Sequence, residues 1–311
     1  MILHSHMLNP RPFLEDCIRY AKMNLWAAGF PWAVIDKCIN NNTMEYTPGN
    51  SSSTFFESLT GLSWNNLDDP PDKVIKCPSC RTQLSVPWTA GEIYPNMDKT
   101  FENFSGFADQ NFNAVCSGCK IIIDHERLKV AKFRKDVQEL FVQNLPMPGT
   151  LTSMRGIPEA PIGPVSRQSL FPSLFLLAAS ESSLGMTDEA MRECTSVSSL
   201  LALLESRLGQ REIHKKLDGP LKLGTGLLPI EKKSFRRMML HYWDNLTPFG
   251  LDLVGAVIRQ GSFVQKMDNI DWLHSPTIMS TMARLIRKYQ VFLDIMVKHP
   301  RKMAVPTLDC D

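Results

Sequence analysis

Two short cysteine pairs constrain this 311-residue chain more than any other feature: CPSC at Cys77 and Cys80, and CSGC at Cys116 and Cys119, with 35 residues between them. Two thiolates three positions apart on a tight turn can occupy adjacent vertices of a tetrahedron about 2.3 Å from a metal, so each pair supplies half of a four-sulfur shell. The flanks KVIKCPSCRTQLSVPWT and NFNAVCSGCKIIID place β-favouring residues on both sides of each turn, which predicts two hairpins. The pattern reads as a zinc ribbon over about 73–124, with AGEIYPNMDKTFENFSGFADQ as an insertion between the hairpins. Gly118, before Cys119, is expected to supply a positive φ, and Pro78 to stiffen the first turn. A redox C-x-x-C is the weaker reading because it usually occurs once beside a βαβ pattern; four cysteines alone leave an iron–sulfur site open. A closed Zn(Cys)4 shell has no vacant position, so its expected role is folding stability rather than catalysis.

Cys17, Cys38 and Cys194 fall on apolar helical faces and read as small hydrophobes, while Cys310 has no context. Outside the ribbon the apolar spacing is helical nearly throughout, which predicts a mainly α protein with an inserted small β ribbon. Asn9 and Pro10 signal a helix carrying Phe13, Leu14, Cys17, Ile18, Ala21 and Leu25 inward to a stop at Gly29. A second helix is predicted at about 32–40 and a third from Ser53 or Thr54 through Leu59. Asp124 is the expected cap of a helix of roughly 19 residues with Val130, Phe133, Val137, Leu140 and Phe141 on its apolar line.

Residues 145–172 hold six prolines and three glycines and read as a linker. They divide the chain into 1–144, a helical segment with the ribbon and its following helix, and 173–311, an all-helical domain. Helices are predicted there at about 173–181, 188–208, 231–245, 249–271 and 276–298, with Thr187 and Ser275 as start signals. Ile278, Met282, Leu285, Tyr289, Phe292 and Met296 line the last one and are expected to be core.

Charge narrows the partners. Residues 1–110 hold 8 Lys and Arg against 12 Asp and Glu, and residues 111–311 hold 26 against 20. The basic groups Lys129–Lys135, Lys232–Arg237, Arg284–Lys288 and Lys298–Lys302 alternate with apolar helix positions, which describes solvated helix faces rather than a nucleic-acid footprint. On the helix after the ribbon, Arg127, Lys129, Lys132, Arg134 and Lys135 lack interleaved aromatics for base stacking. No run reaches the 18 to 20 apolar residues of a membrane span, and no basic-then-apolar leader opens the chain, so the expected compartment is the cytoplasm or nucleus and the expected partners are proteins.

Catalytic patterns are missing: there is no G-x-S-x-G, P-loop, H-E-x-x-H or dinucleotide glycine pattern, and no H-x-D or H-x-E pair for an iron site. No small-molecule ligand is identifiable from motifs. His125, His214, His241, His274 and His299 read as packing or surface residues. His4 and His6, in HSHMLNP, stand just before the expected Asn9–Pro10 helix start, where exposed N–H groups favour neutral, ligand-competent rings. Alone, two imidazoles do not fill a metal shell.

HSHMLNPRPFLEDC, LWAAGFPW, the two knuckles, VAKFRKD, PMPGT and the terminal VPTLDCD together resemble the glycine-rich domain-containing protein-like (GRDP-like) family in its fungal form, along most of the chain. In that family a first motif W-H-S-H-M-L-N-P is echoed by a second, P-T-L-D-x-D-L-x-W-H-T-H-Q-L. Here Leu3 replaces the tryptophan and the sequence stops at Asp311, where the second histidine pair would follow, so the resemblance implies a fragment. It makes His4 and His6 a family motif and implies no established activity. Some fungal relatives bear the label 2-oxoglutarate-dependent sulfonate dioxygenase, which the residues here do not support. The resulting expectation is a zinc-stabilised interaction or scaffold protein; the alternatives are a metal-dependent enzyme using His4, His6 and residues beyond Asp311, and a nucleic-acid-binding ribbon.

Overall fold

The computed structural model describes residues 1–40, 42–43, 45–91, 104–152, 167–180, 187–210, 212–213, 217, 229–271 and 274–299. Cys310, His214 and most of the ribbon insertion lie outside them. The chain is mainly helical with two small two-stranded sheets, and it separates into two compact units, Met1–Leu253 and Val254–Asp311.

The first unit opens with four short helices: α1 (Ile2–Met7), α2 (Pro10–Arg19), α3 (Met23–Ala28) and α4 (Trp32–Asp36). This departs from the expected single helix starting at Asn9. His4 and His6 sit inside a helix of their own, and Asn9 spends its side chain on the Ser5 carbonyl at 2.9 Å instead of capping α2. The expected long helix breaks at Ala21, which adopts φ 53°; Ala21 and Leu25 are therefore exposed, while Phe13, Leu14 and Cys17 are buried as read. Helix α5 (Asn50–Thr60) follows, ending on the left-handed Gly61.

Strands β1 (Asp72–Lys76) and β2 (Gln83–Pro87) form one antiparallel hairpin, and β3 (Asn113–Val115) and β4 (Ile122–Asp124) the other. Ile75, Val86, Phe112 and Ile123 make their small common core with Cys77 and Cys116. β4 runs directly into α6 (His125–Gln143), whose start is fixed by the Asp124 carboxylate accepting the Arg127 N–H at 2.8 Å. Val130, Phe133, Val137 and Leu140 are buried on α6, as the spacing predicts; Phe141 is exposed.

The main core gathers α6 with α7 (Arg167–Ala179), α8 (Asp188–Glu193), α9 (Val197–Leu208) and α10 (Pro229–Trp243). The expected 188–208 helix is interrupted because Cys194 is extended and Ser196 restarts the chain with a reciprocal capping box to Ser199. Thr187 caps α8 as predicted, accepting the Ala190 N–H at 3.2 Å.

The stretch read as a linker does not separate two cores. Residues 147–152 are buried; Met147 belongs to the same core as Phe133 and Tyr242; and 167–172 are already helical, with Pro172 inside α7. The prolines and glycine here build a strap, not a spacer. Gly149 is required in it, since φ is 78° and a Cβ would stand 2.6 Å from the His241 ring. Residues 153–166 lie outside the described set.

The second unit contains α11, which spans Leu253–Asn269 from the last residue of the first unit, and α12 (Ile278–Lys298). Thr277, not Ser275, precedes α12, with no side-chain cap. The expected core face of α12 is not buried: Met282 and Tyr289 are exposed and Ile278, Leu285, Phe292 and Met296 half-buried. Among the described residues of this unit, α11 and α12 are the helices present.

Candidate metal centre

The two knuckles repeat one backbone design. In the first, the Arg81 N–H bonds the Cys77 carbonyl at 3.0 Å and the Cys77 N–H the Thr82 carbonyl at 2.9 Å; in the second, Lys120 to Cys116 and Cys116 to Ile121 repeat both distances. The residue after each second cysteine carries the left-handed turn, Arg81 at φ 63° and Lys120 at φ 61°. Gly118 does not, so the expected reason for it is corrected. A Cβ there would meet Thr82 Oγ1 at 2.7 Å and Cys80 Sγ at 3.4 Å, and glycine is what lets the second knuckle close on the first.

Closure brings the sulfurs of Cys77, Cys80, Cys116 and Cys119 within 4.8 Å of one another. Across the knuckles Cys77 and Cys119 are 3.6 Å apart and Cys80 and Cys116 3.5 Å. These separations are far beyond the roughly 2.05 Å of a disulfide, and near the edge of about 3.8 Å expected for a tetrahedron with metal–sulfur bonds of about 2.3 Å. The cluster is compatible with a metal ion, and its donor set is complete without any group from elsewhere.

Local electrostatics differ among the four. Burial pushes the Cys77 thiol up to about 12, although N–H groups of Cys80 and Ser79 bond it. The Thr82 hydroxyl, 3.1 Å from Cys80 Sγ, brings Cys80 down to about 6. Cys116 is lowered by N–H groups of Cys119 and Gly118. Backbone N–H groups aimed at the first sulfur of each knuckle stabilise thiolate, the form that ligates. The Thr82 contribution has no signature in cysteine spacing and was not predicted.

Besides the direct run of β4 into α6, Arg134 ties the ribbon to the helices. Its Nη1 donates to the Pro78 carbonyl at 2.8 Å, and its Nε and Nη2 form a fork on Asp188 at 2.8 and 2.9 Å. That fork, with Arg192, lowers the Asp188 carboxyl to about 2.

His4 and His6 are not brought together as ligands. Residues two apart on a helix do not face one another, and the rings take different neighbours: His4 packs on Phe30 and Trp32, while His6 is buried between Phe13 and Phe249 with Nε2 3.0 Å from Asp16. Cys17 and Cys194 are buried and Cys38 is half-buried, all three unpaired. His125 bonds the Phe107 carbonyl, His241 the Gly250 carbonyl and His274 Asp271. Among the described residues, the four cysteines are the one group of three or more His, Cys, Asp or Glu side chains able to share a metal.

What sequence reasoning missed is a buried ionic network around the strap. Asp16 accepts from His6, from Arg19 at 3.3 Å and from the Gly250 N–H at 3.1 and 3.0 Å. Arg19 also donates to the Pro146 carbonyl, Glu15 accepts the Leu151 N–H, and Arg237 holds the Gly149 and Thr152 carbonyls. Nearby, Asp136 accepts from the Tyr242 hydroxyl at 2.6 Å and from Lys132 at 3.5 Å, and Lys132 lies over the Tyr242 ring. The available signal was charge inside an apolar frame: Glu15, Asp16 and Arg19 interrupt the buried face of Phe13, Leu14 and Cys17, and Asp136 interrupts that of α6.

No family model, curated protein or solved structure matches the chain.

Proposed function

We propose that this chain is a zinc-stabilised scaffold: the four cysteines hold one Zn2+ as a structural ion, and the ribbon it closes is carried by α6 on a helical body that engages protein partners. The convergence of four sulfurs into a closed shell carries the reading. Four soft thiolates in a tetrahedral arrangement favour zinc, and such a shell leaves no position for substrate. The hairpins' own core is small, with Ile75, Val86, Phe112 and Ile123 buried beside two of the cysteines and Leu84, Phe107, Ala114, Ile121 and Leu128 only partly buried against them, whereas structural zinc contributes on the order of 10–16 kcal/mol. Unpaired Cys17, Cys38 and Cys194 suit a reducing compartment such as the cytoplasm or nucleus. No helix among the described residues is long and apolar enough to cross a membrane.

The partner reading is supported by large apolar side chains left outside on the second unit, among them Ile258, Phe263, Met279, Ile286 and Leu293. The nucleic-acid alternative is less favoured, because Lys129, Lys132, Arg134 and Lys135 pair with Glu126, Asp136, Asp188 and Glu139. The enzyme alternative needs His4 and His6 as joint ligands, and their separate environments do not favour it. Kinship with the GRDP-like family belongs to the same proposal and rests on HSHMLNP, the knuckles and PMPGT.

The test is removal of zinc with a chelator, followed by amide NMR. Loss of the dispersed signals of 72–91 and 104–124, with the helical signals retained, is the expected result. Ribbon signals unchanged in metal-free protein would overturn the scaffold reading.

A further inference from the structure

We propose that the cleft floored by His6 and Asp16 is a binding site for a small flat aromatic molecule that carries a hydrogen-bond donor, with His6 Nδ1 as its acceptor. The cleft encloses about 350 Å³, within the range of small-molecule sites. Its walls are apolar: Phe13, Cys17, Leu25 and Phe249, with the ring of Tyr20 and Pro248. Burial raises the Cys17 thiol, which keeps that wall neutral. Lys22, Lys135 and Glu139 stand around the same cavity, and Lys135 and Glu139 pair with one another at 3.5 Å.

The two polar groups of the floor are not equivalent. Asp16 is 3% exposed and fully engaged by a guanidinium, two contacts to one backbone N–H, and His6. The guanidinium and the backbone N–H on Asp16 are donors and the carboxylate accepts from them, so His6 Nε2 is assigned as the donor of its pair with Asp16. In that tautomer Nδ1 is the lone-pair acceptor. Among the described residues nothing donates to Nδ1, although His6 is 7% exposed and lines the cleft. A buried imidazole held by a carboxylate in one tautomer, with its other nitrogen unused beside an aromatic-walled cavity, is a preorganised acceptor. Aromatic edges on both sides of the ring, Phe13 at 5.1 Å and Phe249 at 5.3 Å between centroids, fix its orientation. The complementary ligand is planar, apolar over most of its surface, and bears an N–H or O–H on one edge.

Indole and benzofuran are matched probes, alike in shape but differing in the N–H. Titration of the zinc-loaded chain, followed by the ¹⁵N resonances of its histidine rings, is expected to show saturable indole binding and a shift at His6 Nδ1. Binding should be about fivefold tighter than for benzofuran, the worth of one net hydrogen bond. His6→Phe should abolish the preference and keep benzofuran binding. Because that variant strands Asp16, Leu25→Trp serves as the second test: Leu25 is 40% exposed at the cleft, and the larger ring should block both probes while leaving the His6–Asp16 pair intact. Absence of saturable binding by indole, equal affinity for the two probes without a His6 shift, or undiminished binding in Leu25→Trp would each overturn the proposal.

Discussion

Replacing Tyr242 by Phe removes one oxygen from the centre of the first unit and nothing else. The side chain is fully buried, its ring packs edge-on to Phe133 at 5.0 Å, and Lys132 sits 4.2 Å above it; phenylalanine keeps the volume, the aromatic contact and the cation–π contact. What is lost is the 2.6 Å bond to Asp136 Oδ2, which keeps its 3.5 Å contact to Lys132. Burial and the Asp136 charge hold the phenol protonated at all ordinary pH, so it is a donor. A hydrogen bond to a charged group contributes about 1.5–3 kcal/mol. With no cavity term to add, the expected loss is about 2 kcal/mol, or about 4–8 °C in Tm for a unit of this size. Urea unfolding at pH 7 measures it as a lower midpoint at unchanged slope. In a cycle with Asp136→Asn, the two substitutions should couple by at least about 0.5 kcal/mol. A loss below about 0.5 kcal/mol, or additive effects, would refute the claim that this network holds α6 to α10.

Glu15 tests the same network through pH. Its burial raises the carboxyl above the ordinary value, so the native state binds the proton more tightly than the unfolded one. The stability this supplies is complete below the unfolded pKa and falls as pH rises through the folded one. Glu15→Gln keeps an oxygen for the Leu151 N–H; its Tm should match the native protein near pH 4 and exceed it increasingly toward pH 8, and a constant difference across that range would contradict the shift. Asp188 behaves oppositely: its lowered carboxyl stabilises above about pH 4, and that contribution disappears as pH falls toward 2. Arg134→Ala should weaken this acid-side dependence, leaving the part that Arg192 supplies, and expose the first knuckle, seen as faster zinc transfer to a chromophoric chelator; an unchanged transfer rate would show that Arg134 does not brace the ribbon.

The ribbon was legible because its determinants are local. Two C-x-x-C turns with strand-forming flanks specify hairpins whose sulfurs can meet only at one point, and the Asp124 cap fixes the helix that follows. Gly118 was noticed for the wrong reason, since its requirement comes from Thr82 on the other knuckle and not from its own φ. The strap was illegible for a related cause: Pro146 to Thr152 lack helical or strand periodicity and have the composition of a linker. Met147 to Thr152 are nevertheless buried, and Arg19, Glu15 and Arg237 from distant helices satisfy backbone groups along the strap. Tertiary hydrogen bonds of that range leave no spacing pattern. His4 and His6 were singled out as a pair by their sequence. The helix separates them, and the useful partner of His6 is Asp16, ten positions away. The face of α12 shows the converse failure: its amphipathic pattern reads as core, yet Met282 and Tyr289 are exposed and the rest of the face is half-buried.

The central claim is that Cys77, Cys80, Cys116 and Cys119 bind one zinc ion that holds the ribbon closed. Elemental analysis of the purified chain, alongside Cys116→Ser, tests it most directly. The account predicts one zinc per chain, no iron, and loss of the metal in the variant with unfolding of about 73–124. Full zinc occupancy in Cys116→Ser, or a folded ribbon in native protein containing no zinc, would contradict it.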